Sequence, residues 1–175
     1  LIFNDIFISF FRVFLGFGIA TIVAIPIGLL VGYFKILEDA IDPIIEFFRP
    51  LSPIALFPVF ILILGIGIKS QVAIILWVSF FPILINVIKG VKTIDKEHIL
   101  AIQSMNANTF QKFKYVILPH SYYWILTGIR LGFSSALLAL IAAEMIGASS
   151  GLGYKILYFS RIFNINDMYA IILLI

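Results

Sequence analysis

Long apolar blocks, not alternating residues, set the pattern of this chain. Residues 8–34, 51–68, 72–88 and 122–148 are almost continuously apolar, and a fifth block opens near Met168. A hydrocarbon layer about 30 Å thick needs roughly 20 apolar residues in a helix, so these blocks predict transmembrane helices. Polar connections at 35–50, 69–71, 89–121 and 149–167 separate them. The expected fold class is therefore all-α, a polytopic transmembrane helix bundle with about five spans. The chain opens at Leu1 in apolar sequence and closes in "AIILLI" with its last block unfinished. It is read as one domain over 1–175, truncated at both ends.

Composition makes the same choice. Apolar residues form 62% of the chain and charged residues 12%, with a mean hydropathy of +1.15; soluble domains carry roughly 25% charge. The core of a soluble domain this size has no use for 18 Phe. The first block is too long for a signal peptide. With no cysteine, a disulfide framework and a thiolate metal site are excluded. The net charge of +3 says little by itself, but its distribution is informative.

Lys89, Lys92, Lys96, Lys112 and Lys114 all fall in the connection 89–121. The positive-inside rule puts that connection in the cytoplasm. Alternation then places Lys35 and Arg49 inside, and Lys69, Lys155 and Arg161 outside, seven against three.

In the first block Gly16, Ala20, Ala24, Gly28 and Gly32 recur every fourth residue. Such a stripe lets helix backbones approach closely in lipid. In the 122–148 block Gly128, Gly132 and Ala136, then Ala139, Ala143 and Gly147, repeat it. Pro26, Pro58 and Pro82 lie within blocks, where neighbouring helices satisfy the freed carbonyls. The spans are expected to pack together.

Two charges, Arg130 and Glu144, share the 122–148 block. A charge at a helix centre costs about 2.5–3.5 kcal/mol on insertion scales. Fourteen residues along a helix cover about 21 Å, so each charge can sit near one edge of the layer, Arg130 cytoplasmic and Glu144 outer. That distance forbids their pairing. Each either bonds to another helix or loop or snorkels to the interface.

Enzyme motifs fail on missing parts. "GASSGLGYK" (147–155) looks like a phosphate cradle, but five positions after Gly147 stands Leu152, and Tyr154 follows Gly153, against the Gly-x4-Gly-Lys-Ser/Thr requirement. An intramembrane serine protease needs Gly where Ala148 stands and a His at membrane depth; His98 and His120 lie in the cytoplasmic connection. Glu97-His98 lacks the second His of a zinc helix.

The connection 89–121 is the unusual polar island. It predicts a helix over 96–105 with Asp95 as N-cap and Glu97 in its first turn, a break at Asn106, and a second helix opened by Asn108 with Gln111 in capping-box spacing. Phe110, Phe113 and Ile117 are expected to share an exposed face, and Pro119 to separate this helix from the next span. Tethering to spans on both sides argues against DNA reading, and no nucleic acid partner is expected. Two capped helices with an exposed Phe face suit a docking surface for a cytoplasmic partner.

These residues resemble a known family, the membrane-spanning (permease) subunits of bacterial binding-protein-dependent ABC importers. The family's cytoplasmic loop reads Glu-Ala-Ala, three residues, Gly, then Ile-x-Leu-Pro. Ile117-Leu118-Pro119 matches its end; Leu100, Ala101 and Ile102 fall on the triplet, with Asn106 at the Gly. "LTGIRLG" (126–132), "FPILINVIKGVKTID" (81–95) and "AAEMIGASSGLGYKI" (142–156) are similar to the branch serving nitrate, sulfonate, taurine and thiamine-precursor uptake. The resemblance implies the type I importer membrane fold. It also implies a coupling loop over 93–119, carried by Leu100, Ala101, Ile102, Gln103, Asn106, Ala107, Phe110, Phe113 and Pro119, and an outer Gly-rich segment with Ser149, Ser150, Gly151 and Gly153.

By the same resemblance the chain is a multi-pass protein of the bacterial cytoplasmic membrane. It pairs with a second permease subunit, most simply a copy of itself. Two cytoplasmic ATPase subunits hold ATP and Mg, so this chain needs no cofactor or metal and is not an enzyme, and an extracytoplasmic binding protein delivers the solute. The alternative from another class is a secondary transporter or channel without an ATPase. Such proteins place ionisable residues at midplane, whereas here they sit towards the edges.

Overall fold

The computed structural model describes residues 2–95, 97, 98, 102, 104 and 107–174. Among these every regular element is helical: α1 (Ile2–Tyr33), α2 (Lys35–Phe48), α3 (Pro53–Leu64), α4 (Ile68–Lys92), α5 (Thr109–Lys112), a π-helical turn (Phe113–Ile117), α6 (Leu118–Gly147), α7 (Leu152–Arg161) and α8 (Ile165–Leu174). The all-α expectation holds. Three helical stretches, Asn4–Tyr33, Ile68–Lys92 and Thr109–Gly147, are long and apolar enough to cross a membrane, and α2 with α3 passes as a broken fourth.

Several boundaries differ from the sequence reading. The apolar block 51–68 yields a helix of only 12 residues, about 18 Å long and too short to span alone. Gly65 and Gly67 take φ of +79° and +143°, conformations that end a helix and that Cβ-bearing residues avoid. The connection 35–50 is largely helix α2, because Ile41, Ile45 and Phe48 recur at helical spacing and Ile45 is buried. The connection 149–167 likewise contains α7, and the last helix starts at Ile165.

Pro119 does not separate two helices. α5, the π turn and α6 run on without a break. A prolyl nitrogen cannot donate to the preceding turn, and the wider π turn immediately before it absorbs the mismatch.

The chain folds as two compact units, one built from 1–19, 51–79 and 133–175, the other from 20–50 and 80–132. In the first, Val13, Phe57, Ile74, Ile75, Ala136 and Leu140 form the core. Gly16 lies so close to α4 that a Cβ there would stand 2.9 Å from Ile75 Cβ and Val72 O. Ala139 and Ala143 are buried, and Gly147 faces the Phe57 ring.

In the second unit the rest of the α1 stripe packs on α4. Ala20 and Ala24 are fully buried, and Cβ atoms on Gly28 and Gly32 would stand 2.8 and 2.7 Å from the Cβ atoms of Val87 and Val91. Gly128 of α6 meets Ile83 and Asn86 in the same way. At Gly16, Gly28, Gly32 and Gly128 the missing Cβ is used for close helix approach, as the four-residue repeat predicted. At the end of this unit Val91, Ile94, Ile117 and Phe113 form a small cluster with Leu29 and Tyr33. Lys92 pairs with Glu38 at 2.7 Å.

Candidate functional site

The densest polar cluster surrounds Glu144, on the last turn of α6 in the first unit. α6 stops at Gly147, and the chain doubles back through Ala-Ser-Ser to Gly151, whose φ of +118° requires glycine. This turn aims the amide groups that open α7 at the side chains of α1. Gly153 N–H donates to Glu144 Oε2 at 2.9 Å, Leu152 N–H to Ser9 Oγ at 3.0 Å, and Gly151 N–H to Asp5 Oδ1 at 3.0 Å. The apparent phosphate cradle is filled by the protein's own carboxylates. Free amides and the helix dipole favour an anion at such an end, and Glu144 and Asp5 supply it.

α1 provides the matching wall. Asp5, Ser9 and Arg12, spaced four and three residues apart, lie on one face. The Ser9 hydroxyl lies 2.7 and 2.9 Å from the two Glu144 oxygens and donates to them. Arg12 Nη1 donates to Glu144 Oε1 at 2.6 Å and to Ser150 O at 2.9 Å. Lys155 Nζ of α7 pairs with Asp5 Oδ2 at 2.6 Å. Two anions and two cations cancel, and Glu144, 0% exposed, has both oxygens occupied. Burial on this scale costs several kcal/mol per ion unless pairing and hydrogen bonds are complete. Here they nearly are; Arg12 Nε alone in this cluster lacks a bond among the described residues.

Arg130, the other charge of α6, lies in the second unit and is exposed. It takes no part in the cluster. Of the Gly-rich residues, Gly151 and Gly153 donate backbone N–H groups, Ser150 accepts from Arg12, and Ser149 is exposed. The sequence did not single out Asp5, Ser9, Arg12 or Lys155 as site residues. Their signal was present, since Asp5, Ser9 and Arg12 extend the small-residue stripe that begins at Gly16, and a stripe that turns polar marks a buried polar contact.

Beside the cluster, in the same unit, lies an open cavity of about 510 Å³. Arg12, Gln71, Ser149 and Ser150 form its polar wall, and Ile61, Ile66, Ile68 and Ile146 its apolar one. Gln71 is 1% exposed; its Nε2 donates to Gly147 O at 2.9 Å, and its Oε1 has no partner among the described residues.

The second candidate site is the connection 93–119, in the other unit. Leu100, Ala101, Gln103 and Asn106 lie outside the described residues. Glu97, His98, Ile102 and Ser104 are helical, and Ala107 N–H donates to Ile102 O at 3.4 Å, the six-to-one spacing of a helix C-terminus. Asn108 and Gln111 make both bonds of the capping box, each at 2.8 Å. The exposed Phe face divides. Phe110 is 73% exposed. Phe113 instead stacks edge-on against Tyr33, with centroids 4.9 Å apart, and Ile117 is buried in the same cluster. The reading of all three as one exposed face is corrected: the π turn rotates Phe113 and Ile117 into apolar surface, leaving Phe110 outside.

The family described as "Binding-protein-dependent transport system inner membrane component" matches residues 24–175. A putative ABC transporter permease protein of Methanocaldococcus jannaschii is 40% identical over 156 residues, covering 89% of this chain and 58% of that protein. A probable ABC transporter permease protein of Brucella melitensis is 38% identical over 152 residues, 87% of this chain and 62% of its own length. The taurine transport system permease protein of Escherichia coli is 36% identical over 148 residues, 85% of this chain and 54% of that protein. The chain thus spans less than two thirds of these curated relatives.

Proposed function

Because the chain belongs to the binding-protein-dependent transport system inner membrane component family, we propose that it is the permease subunit of an ATP-driven importer in the bacterial cytoplasmic membrane. The observation that carries this reading is the family match over 24–175, which takes in Glu144 with the 147–155 turn and the connection 93–119. Two such subunits line the solute path, and an extracytoplasmic binding protein delivers the solute. The ATPase partners bind ATP and Mg; this chain holds neither and hydrolyses nothing.

The connection 93–119 is the coupling loop. Its second helix is fixed at one end by the Asn108–Gln111 capping box and at the other by Phe113 and Ile117 in the unit's core. A rigid, anchored segment with Phe110 outward transmits a push from an ATPase to α4 and α6, where a floppy loop would absorb it. The solute is a small anion or organic solute of the nitrate, sulfonate, taurine or thiamine-precursor kind. The taurine permease among the relatives, and the resemblance to nitrate and sulfonate importers, support that class.

The test is reconstitution of the full-length chain with its ATPase in proteoliposomes. Externally added, solute-loaded binding protein is expected to stimulate ATP hydrolysis and ATP-dependent uptake. Uptake driven by a proton or sodium gradient with ATP absent would instead establish a secondary transporter.

A further inference from the structure

The cavity beside the Glu144 cluster is asymmetric in charge. Arg12 is the charged residue in its wall; the counterion Glu144 is fully buried and forms no part of that wall. Arg12 Nη1 is committed to Glu144 and Ser150 O, while among the described residues Nη2 makes only a long 3.4 Å contact to Ser150 Oγ. A guanidinium offers five donors, so donor capacity is left over. Gln71, almost completely buried, adds a side-chain oxygen with no partner among the described residues. Ile61, Ile66, Ile68 and Ile146 supply apolar lining. The volume falls in the range of small-molecule sites.

We propose that this cavity is a solute-contact site for a small soluble oxyanion carrying a short apolar or hydrogen-bond-donating tail, its oxygens on Arg12 and the Ser149–Ser150 hydroxyls. A short-chain sulfonate combines the two chemistries that this lining offers, an oxyanion head and a small tail. Gln71 favours a tail with an N–H or O–H over a purely aliphatic one. The inference rests on the importer reading and assigns part of the solute path to residues of this chain.

The chain has no cysteine, so single-cysteine accessibility is a clean test. Ser149→Cys is placed in the full-length chain, purified with whatever ATPase accompanies it and put in nanodiscs. It is labelled with sulfonatoethyl methanethiosulfonate (anionic) and with its trimethylammonium analogue (cationic). Phe163→Cys, exposed and outside the cavity, is the reference. The anionic-to-cationic rate ratio of the Ser149→Cys protein should exceed that of the Phe163→Cys protein by about tenfold, the factor that about 1.4 kcal/mol produces. Ethanesulfonate or taurine should slow labelling of the Ser149→Cys protein only. Ile66→Trp, which fills the cavity from its apolar side, should remove both effects. Equal ratios in the two variants, or a bias that follows the phosphatidylglycerol content of the disc and ignores free solute, would overturn the site. An accompanying ATPase with equal ratios sinks this inference alone; absence of any ATPase sinks the importer reading.

Discussion

Arg12 and Glu144, 132 residues apart in sequence, are joined by a 2.6 Å ion pair with side chains 6% and 0% exposed. The bond ties the start of α1 to the end of α6 at the point where α7 begins. Breaking one half of such a pair strands a buried charge, at a cost of about 3–5 kcal/mol. Glu144→Gln and Arg12→Gln should each lower the Tm of the detergent-solubilised chain sharply. The double variant should lose clearly less than the sum of the two, as a double-mutant cycle read by thermal unfolding will show. Additive losses would mean that the pair is not coupled.

Gly151 is the next pressure point. A Cβ there would run into the Glu144 carboxylate, and φ of +118° is strained for any L side chain. Gly151→Ala should cost about 1–3 kcal/mol and expose the 147–153 turn to protease. A Gly151→Ala protein as stable and as protease-resistant as the parent would contradict the geometry described for this turn.

Two glycines of α1 separate packing from helix propensity. Gly18 has nothing within 4 Å of a Cβ, whereas Gly28 meets Val87 at 2.8 Å. Alanine improves helix propensity by about 1 kcal/mol at either place. Gly18→Ala should therefore be neutral or stabilising, and Gly28→Ala destabilising, in the same thermal assay.

The connection 93–119 makes a similar division. Phe110→Ala removes an exposed ring and should weaken ATPase association with little change in Tm. Phe113→Ala empties the contact with Tyr33 and should lower Tm, with a stability loss of at most about the 3–5 kcal/mol of a truncated core aromatic. Pull-down and unfolding measured on both variants check the split.

What the sequence made legible follows from periodicity. The four-residue stripe in α1 found its partners because small residues at that spacing have one use in lipid. The Asn108–Gln111 box formed because capping is local. The α3 boundary was misplaced because Gly65 and Gly67 read as apolar, although their backbone conformation stops the helix. Pro119 read as a break because the compensating π turn has no sequence period of its own. Glu144 was recognised as an intramembrane charge, but its partner was not. Nothing local to residue 144 points to residue 12; only the fold brings them together.

If residues 93–119 form the grip of a separate ATPase, removing part of them must release that ATPase. The tagged full-length chain is purified from gently solubilised native membranes, with and without residues 103–109, and co-purifying proteins are identified by mass spectrometry. The intact chain should bring down an ATPase and a solute-binding protein, and deletion should lose the ATPase alone while the permease still folds. A chain that purifies alone in both forms, or an ATPase retained in full without 103–109, would contradict the coupling role.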